Sequence, residues 1–226
     1  MSLAEILTGA DRERLLEEAY GKVDNARRTK AESMQSGKAR AACLGAGLLL
    51  QLAVRERCTA YGVNAESAGC PEGPVPYSVS QVLQLLGDPV EPVLDYGEKG
   101  KPYLREYPFY FNLSHSGEYV VCAVSDQEIG ADIQQCVPVN AQRLAGRFFA
   151  AEECRALASC ETEEEKQRFF YRLWARKEAY GKLIGEGIAG AVTMNLLPDA
   201  GGEAKELFWQ EWELPEGYKI ALCQRK

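Results

Sequence analysis

The sequence predicts a mixed α+β protein built as two halves, and three observations carry that expectation. An alanine- and leucine-rich stretch from Lys38 to Arg57 reads as a buried helix. Three strand-like segments follow Pro108, and a capped, aromatic-rich helix begins at Thr162. Between the first pattern and the second, Pro89, Pro92, Gly97, Gly100 and Pro102 interrupt regular structure, which puts the boundary within 93–108; it is drawn at 104/105.

Taken in chain order, residues 11–35 are charged, with Asp11 as a cap and Leu15, Leu16 and Ala19 at helical spacing, and read as a surface helix and a polar connection. The Lys38–Arg57 helix contains Gly45 and Gly47, but no strand precedes them and a third glycine is missing, so a nucleotide-binding loop is set aside. Gly, Pro, Ser and Asn mark a loop over 61–76, and a short helix is expected over 80–86. Strands are expected over 109–113, 119–125 and 128–133, with Ser125, Asp126 and Gln127 as a hairpin connection between the last two. A helix follows from Asn140 to Phe149. Thr162 and Glu165 then form a capping box for the longest helix, which Gly185 and Gly187 stop. The tail, 206–223, alternates aromatic and polar residues in the manner of edge strands.

Composition narrows the function classes. With 226 residues, 46% hydrophobic and 26% charged, the chain has the material for a buried core. A net charge of -7 argues against a nucleic-acid backbone as the main partner. No apolar run is read as approaching the roughly 20 residues of a membrane span, and Met1 to Ala10 lack a secretory layout, so a cytoplasmic protein is expected. The eight cysteines are scattered without a paired spacing, which suits reduced, buried thiols, and a single histidine disfavours zinc.

Three clusters carry candidate chemistry. Asn112-Leu113-Ser114-His115-Ser116-Gly117 is a strand end emptying into a polar turn, suited to gripping phosphate oxygens or, more simply, to satisfying its own backbone. In Gly130-Ala131-Asp132-Ile133-Gln134, the two-residue strand period sends Asp132 and Gln134 to one face. A buried or half-buried aspartate there needs a partner: a divalent cation is one candidate, and a nearby arginine or the end of a helix is the plainer one. In the long helix, Glu178 and Lys182 stand one turn apart, as an exposed ion pair or as a metal ligand beside a phosphate-neutralising cation. Magnesium is commonly held by one or two carboxylates together with substrate phosphates, and Asp132 with Glu178 supplies that number.

The order and wording of these clusters resemble the surfactin-type 4'-phosphopantetheinyl transferases. The matching stretches are Gly100-Lys101-Pro102-Tyr103, the FNLSHSG run from Phe111, IGADI from Ile129, RFF from Arg147 with Glu152 and Glu153, and the FYRLWARKEAYGKLIGEG run from Phe170. The resemblance implies a pseudo-twofold pair of similar α/β halves with coenzyme A in the cleft between them. Residues 1–104 would hold the 3'-phosphate and adenine side, and 105–226 the magnesium and pyrophosphate site. It implies Asp132 and Glu178 as magnesium ligands, with Gln134 where several relatives carry glutamate. His115 and Ser114 would contact phosphate, Lys177 and Lys182 would neutralise it, and Lys101 and Pro102 would edge the nucleotide pocket. Arg40 or Lys38 would reach the 3'-phosphate.

The implied reaction moves phosphopantetheine from coenzyme A to a serine of an apo acyl or peptidyl carrier protein, releasing 3',5'-ADP. Glu153, Glu178 or a water on the metal would take the serine proton. A monomer is expected, with no nucleic-acid or membrane partner. Two other readings use the same residues: a magnesium-dependent nucleotide pyrophosphatase or phosphodiesterase, and a non-catalytic coenzyme A or carrier-binding module.

Overall fold

The structure, a computed structural model, describes residues 1–62, 73–198 and 200–226. By internal contacts it divides into one unit of Met1–Val93 with Leu113–Cys122, and a second of Leu94–Asn112 with Ala123–Lys226. By this division the chain first passes between units at 93/94, and residues 113–122 return to the first unit.

The first unit is mostly helical: α1 (Ala4–Leu7), α2 (Arg12–Lys22), α3 (Asn25–Glu32), α4 (Gly37–Gly62) and α5 (Val79–Leu85). The single surface helix expected near the N-terminus is two helices. Val23 is extended, and Asp24 restarts the chain by accepting a hydrogen bond from the Arg27 amide at 2.8 Å. Asp11 makes no side-chain cap and instead lies near Arg14. Ser78 and Gln81 form a capping box that starts α5.

At the centre lies α4, whose Leu44 and Leu48 are fully enclosed with Leu3, Val23, Val79, Val82 and Val120. Each such side chain contributes about 1.5–3 kcal/mol of burial. Its glycines serve that packing: a Cβ on Gly45 would sit 2.6 Å from Leu3, and one on Gly47 2.7 Å from Val23. By length and composition, residues 37–57 of α4 could cross a bilayer, which corrects the reading that no run comes close. With 78% of the apolar window buried, α4 is a core helix here. Most of the loop expected over 61–76 lies outside the described residues, as do Cys70 and the side chain of Cys58. The six other cysteines are free thiols.

The second unit begins with β1 (Leu94–Tyr96) paired antiparallel to β2 (Pro102–Leu104). Next come β3 (Tyr110–Ser116) and β4 (Tyr119–Ser125), which form a two-stranded sheet and run through both stretches of the chain division, and then β5 (Ile129–Gln135). Helices α6 (Ala141–Phe148), α7 (Ala151–Ala158), α8 (Glu163–Ile184) and α9 (Gly187–Ala191) follow, and β6 (Leu207–Leu214) and β7 (Tyr218–Arg225) close the chain.

Two expectations about pairing are corrected. Ser125–Gln127 is not a hairpin turn, because β4 pairs with β3 while β5 pairs with β7. The tail strands are not both edges either: the antiparallel order β5-β7-β6 makes β7 central, and its residues 218–221 are buried. The long helix forms as expected, with Thr162 accepting from the Glu165 amide and Gly185 closing the end at φ 75°. Its aromatic stripe packs Phe170 against Phe149 with ring centroids 5.3 Å apart, beside Trp174 and Leu157.

Candidate functional site

Strand β5 and helix α8 meet closely because Gly130 has no side chain. A Cβ there would stand 1.9 Å from the Ala179 carbonyl oxygen and 2.6 Å from the Leu183 amide nitrogen. Just beyond this contact the strand projects Asp132, whose side chain is 6% exposed. Lys182 of α8 places its Nζ 2.6 Å from Asp132 Oδ1. Glu178, one turn earlier on α8, is half-buried, and its carboxyl is raised above the ordinary carboxylate range. Burial is the main cause, the charge of Asp132 adds to it, and Lys182 acts in the opposite direction.

Two carboxylates thus converge on one ammonium, an arrangement with an excess of negative charge in a half-buried place. That donor set fits a hard divalent cation sharing its remaining positions with phosphate oxygens. Gln134 lies two residues along β5 from Asp132 and so on the same strand face; it is half-buried, and its amide nitrogen lies 3.4 Å from the Gln135 carbonyl. Among the described residues no group of three or more His, Cys, Asp or Glu side chains forms a metal cage, so a cation here would rely on substrate oxygens.

Two residues assigned to the substrate from sequence face the interior instead. Glu153 and Lys177 both have fully enclosed side chains and pair at 2.8 Å. Lys177 Nζ also donates to the carbonyls of Ala191 and Met194, both at 2.8 Å. Glu153 accepts from the amides of Ala150 at 2.7 Å and Leu196 at 2.8 Å. Burial pushes the Lys177 ammonium below its usual range, and Glu153 partly restores it. An enclosed lysine with these partners does not neutralise a substrate phosphate, and an enclosed glutamate does not take a substrate proton.

Lys101 is also differently employed. It is half-buried, and its Nζ donates to the Leu183 carbonyl at 2.8 Å, capping the end of α8. Burial lowers its acid range, with Glu128 opposing. Lys99 pairs with Glu186 just after the helix end. These contacts tie the β1–β2 hairpin to α8 and form the rim of a cleft of ≈ 860 Å³ in the second unit. Lys101, Pro102, Tyr103, Arg105, Phe111 and Arg225 are among its lining residues, whereas Asp132, Glu178 and Lys182 are not. Lys101 and Pro102 were expected at the edge of a nucleotide pocket; Arg105 and Arg225, which line the same cleft, were not singled out from the sequence. The run of aromatic and basic residues between Pro102 and Phe111 was the available signal.

The other named residues belong to the first unit. Ser114 and His115 lie within β3, not in a turn, with Ser114 buried and His115 exposed; consecutive strand residues point to opposite faces. The turn is Gly117, at φ 55°. Asn112, part of the same motif but in the second unit, accepts the Ala131 amide at 3.0 Å and so satisfies a donor on β5. On α4, Lys38 is exposed, and Arg40 donates through Nη2 to the Met34 carbonyl at 2.8 Å while its buried Nε has no partner.

The pattern of the 4'-phosphopantetheinyl transferase superfamily matches residues 128–223, a span that holds β5, α8 and the enclosed ion pair. The chain is 37% identical over 156 residues to the 4'-phosphopantetheinyl transferase psf-1 of Bacillus pumilus, covering 64% of this chain and 66% of that protein. It is 34% identical over 140 residues to the 4'-phosphopantetheinyl transferase Sfp of Bacillus subtilis (strain 168), covering 56% of this chain and 60% of the relative. It is also 41% identical over 108 residues to the 4'-phosphopantetheinyl transferase HetI of Nostoc sp. (strain PCC 7120 / SAG 25.82 / UTEX 2576), covering 45% of each. The matches to the first two span about 60 to 66% of those proteins' lengths. The segment that carries the pattern of the 4'-phosphopantetheinyl transferase superfamily, residues 128–223, is thus the one that holds Asp132, Glu178 and Lys182.

Proposed function

We propose that this chain transfers the 4'-phosphopantetheine arm of coenzyme A to a serine of an apo acyl or peptidyl carrier protein, releasing 3',5'-ADP. The observation that carries the reading is the convergence of Asp132 on β5 with Glu178 and Lys182 on α8, inside the span matched by the superfamily. Relatives named as 4'-phosphopantetheinyl transferases favour transfer over hydrolysis of a nucleotide or binding alone.

In this reading Asp132 and Glu178, with Gln134 beside them, hold magnesium, which would lend electrostatic stabilisation to the diphosphate. Lys182 neutralises charge on the phosphates. Pro102 and the hairpin held by Lys101 edge the nucleotide. The serine oxygen forms a bond to the β-phosphorus, the bond to the bridging oxygen breaks, and its electron pair leaves with 3',5'-ADP. Of the two carboxylates considered for the serine proton, Glu178 keeps an accessible face and Glu153 does not.

The finer architecture implied by the resemblance, two similar halves flanking a cleft, goes with this proposal and rests on that resemblance. So do a monomeric state and a cytoplasmic setting. The test is to incubate the purified chain with coenzyme A, magnesium and an apo carrier and to weigh the carrier. A gain of one phosphopantetheine arm supports transfer. Hydrolysis products with an unmodified carrier would replace it with the pyrophosphatase reading, and binding without turnover with the non-catalytic one.

A further inference from the structure

We propose that the enclosed Lys177–Glu153 ion pair is a positioning device that fixes the rotation of α8 so that Glu178 is aimed at Asp132. The inference rests on the site proposed above, with Glu178 and Asp132 as its carboxylates. The pair joins three separate segments. Glu153 sits in the first turn of α7 and holds the amides of Ala150 and Leu196, while Lys177 sits in α8 and holds the carbonyls of Ala191 and Met194. Both side chains are 0% exposed.

Stability does not explain such a pair. Removing two charges from water costs several kcal/mol for each ion, and apolar side chains of similar volume often serve the fold as well or better. What the pair adds is direction. An apolar contact tolerates a small roll of one helix over its neighbour, whereas an ammonium held by a carboxylate and two carbonyls has one setting.

Direction matters at this point on the helix because its contact with β5 is smooth. Ala175 and Ala179 are enclosed on α8, and Gly130 lies under the Ala179 carbonyl, so the rotation of the helix is set by its polar anchors: Arg176 on Glu211, Lys182 on Asp132 and, alone in being fully enclosed among these, Lys177 on Glu153. Lys177 and Glu178 are consecutive and stand about 100° apart around the axis. Locking Lys177 toward α7 therefore sets the direction in which Glu178 leaves the helix. A roll of a small fraction of a turn would re-aim Glu178 relative to Asp132 while leaving the buried face of α8 in the core.

The test is the paired substitution Lys177→Met with Glu153→Leu, which removes both charges at similar volume. Thermal unfolding, Mn2+ affinity in the presence of coenzyme A by calorimetry, and kcat and KM for coenzyme A are then measured. The expected protein unfolds cooperatively within a few degrees of the parent or above it. It binds Mn2+ about 10- to 100-fold more weakly and loses kcat by a similar factor, the range seen when residues supporting a metal ligand are removed. Its KM for coenzyme A stays within about 3-fold, because the residues that would grip the nucleotide are untouched.

Unchanged Mn2+ affinity and kcat in a folded double variant would overturn the proposal. So would a double variant that cannot fold, since the pair would then be holding the structure together and not aiming a side chain. A parent that binds Mn2+ but never modifies a carrier would sink the transferase reading alone, and the Mn2+ titration would still judge the ion pair.

Discussion

Lys182 Nζ lies 2.6 Å from Asp132 Oδ1, so a cation on the longest helix and an anion on a sheet strand, fifty residues apart in sequence, meet in one place. Glu178 is drawn into the same electrostatic group, with its carboxyl raised by burial and by Asp132. The lysine is therefore the local counterweight to two acids, and a bound divalent cation would compete with it for both.

Replacing that counterweight gives the first prediction. Lys182→Met leaves Asp132 buried beside a second carboxylate and costs about 1–3 kcal/mol of stability, less than a fully enclosed pair because Lys182 is 26% exposed. Thermal unfolding checks it, and added Mg2+ should recover more of the melting temperature in the variant than in the parent. Carrier modification should fall by at least about 100-fold, as expected when a charge that stabilises a transferring phosphoryl group is removed.

A second prediction concerns pH. The folded-state range of Glu178 is raised, so the folded protein holds this proton more firmly than the unfolded chain does. Its contribution to stability is present below the unfolded carboxylate range and is lost as pH rises through the folded one. In metal-free protein, Glu178→Gln should raise the melting temperature by a few degrees at neutral pH. The gain should vanish when both proteins are acidified through the carboxylate range. Divalent binding to the parent should weaken over the same acid window, as the carboxylate takes up its proton.

The third prediction tests the close approach that brings strand and helix together. Gly130→Ala forces a methyl onto the Ala179 carbonyl at a built distance of 1.9 Å, so β5 and α8 must separate. A loss of about 3 kcal/mol or more is expected, along with loss of transfer. Gly21→Ala, in α2 with nothing within 4 Å of the new Cβ, should instead gain about 0.5–1 kcal/mol. Unfolding curves of the two variants check both signs.

Lys101 gives a fourth. Because its ammonium is spent on the Leu183 carbonyl, Lys101→Met should loosen the hairpin and weaken coenzyme A and its 3'-dephospho form alike, by about 5- to 30-fold. A loss confined to coenzyme A would show that this lysine binds the 3'-phosphate. Parallel KM measurements on the two substrates distinguish these outcomes.

The parts of the fold that were legible in the sequence are those written locally. Thr162 and Glu165 specify the start of α8 and Gly185 its end, because capping needs only neighbours within one turn. Asp132 and Glu178 could be named as partners from the strand period, the helix turn and the resemblance. Sheet pairing was harder. Ser125–Gln127 has the composition of a hairpin turn, yet β5 takes its partner from the far end of the chain, a choice made by long-range packing. Likewise β7 reads as an edge and is central, since its neighbours are fixed by the sheet as a whole.

The same physics explains the misplaced site residues. In the KEA segment Lys177 and Glu178 are adjacent, and nothing local says which one faces the substrate. Only a partner twenty-four residues away, Glu153, turns Lys177 inward. Lys101 resembles a nucleotide contact in sequence, but its side chain meets the end of a helix eighty-two residues later.

The central claim, that the acids of β5 and α8 together hold a divalent cation against a diphosphate, is tested most directly by titrating Mn2+ calorimetrically in the presence of coenzyme A. The parent, Asp132→Asn and Glu178→Gln would be compared at neutral pH. The account predicts one tight site in the parent that either substitution weakens by at least about 10-fold. Equal Mn2+ affinity in all three proteins would contradict it.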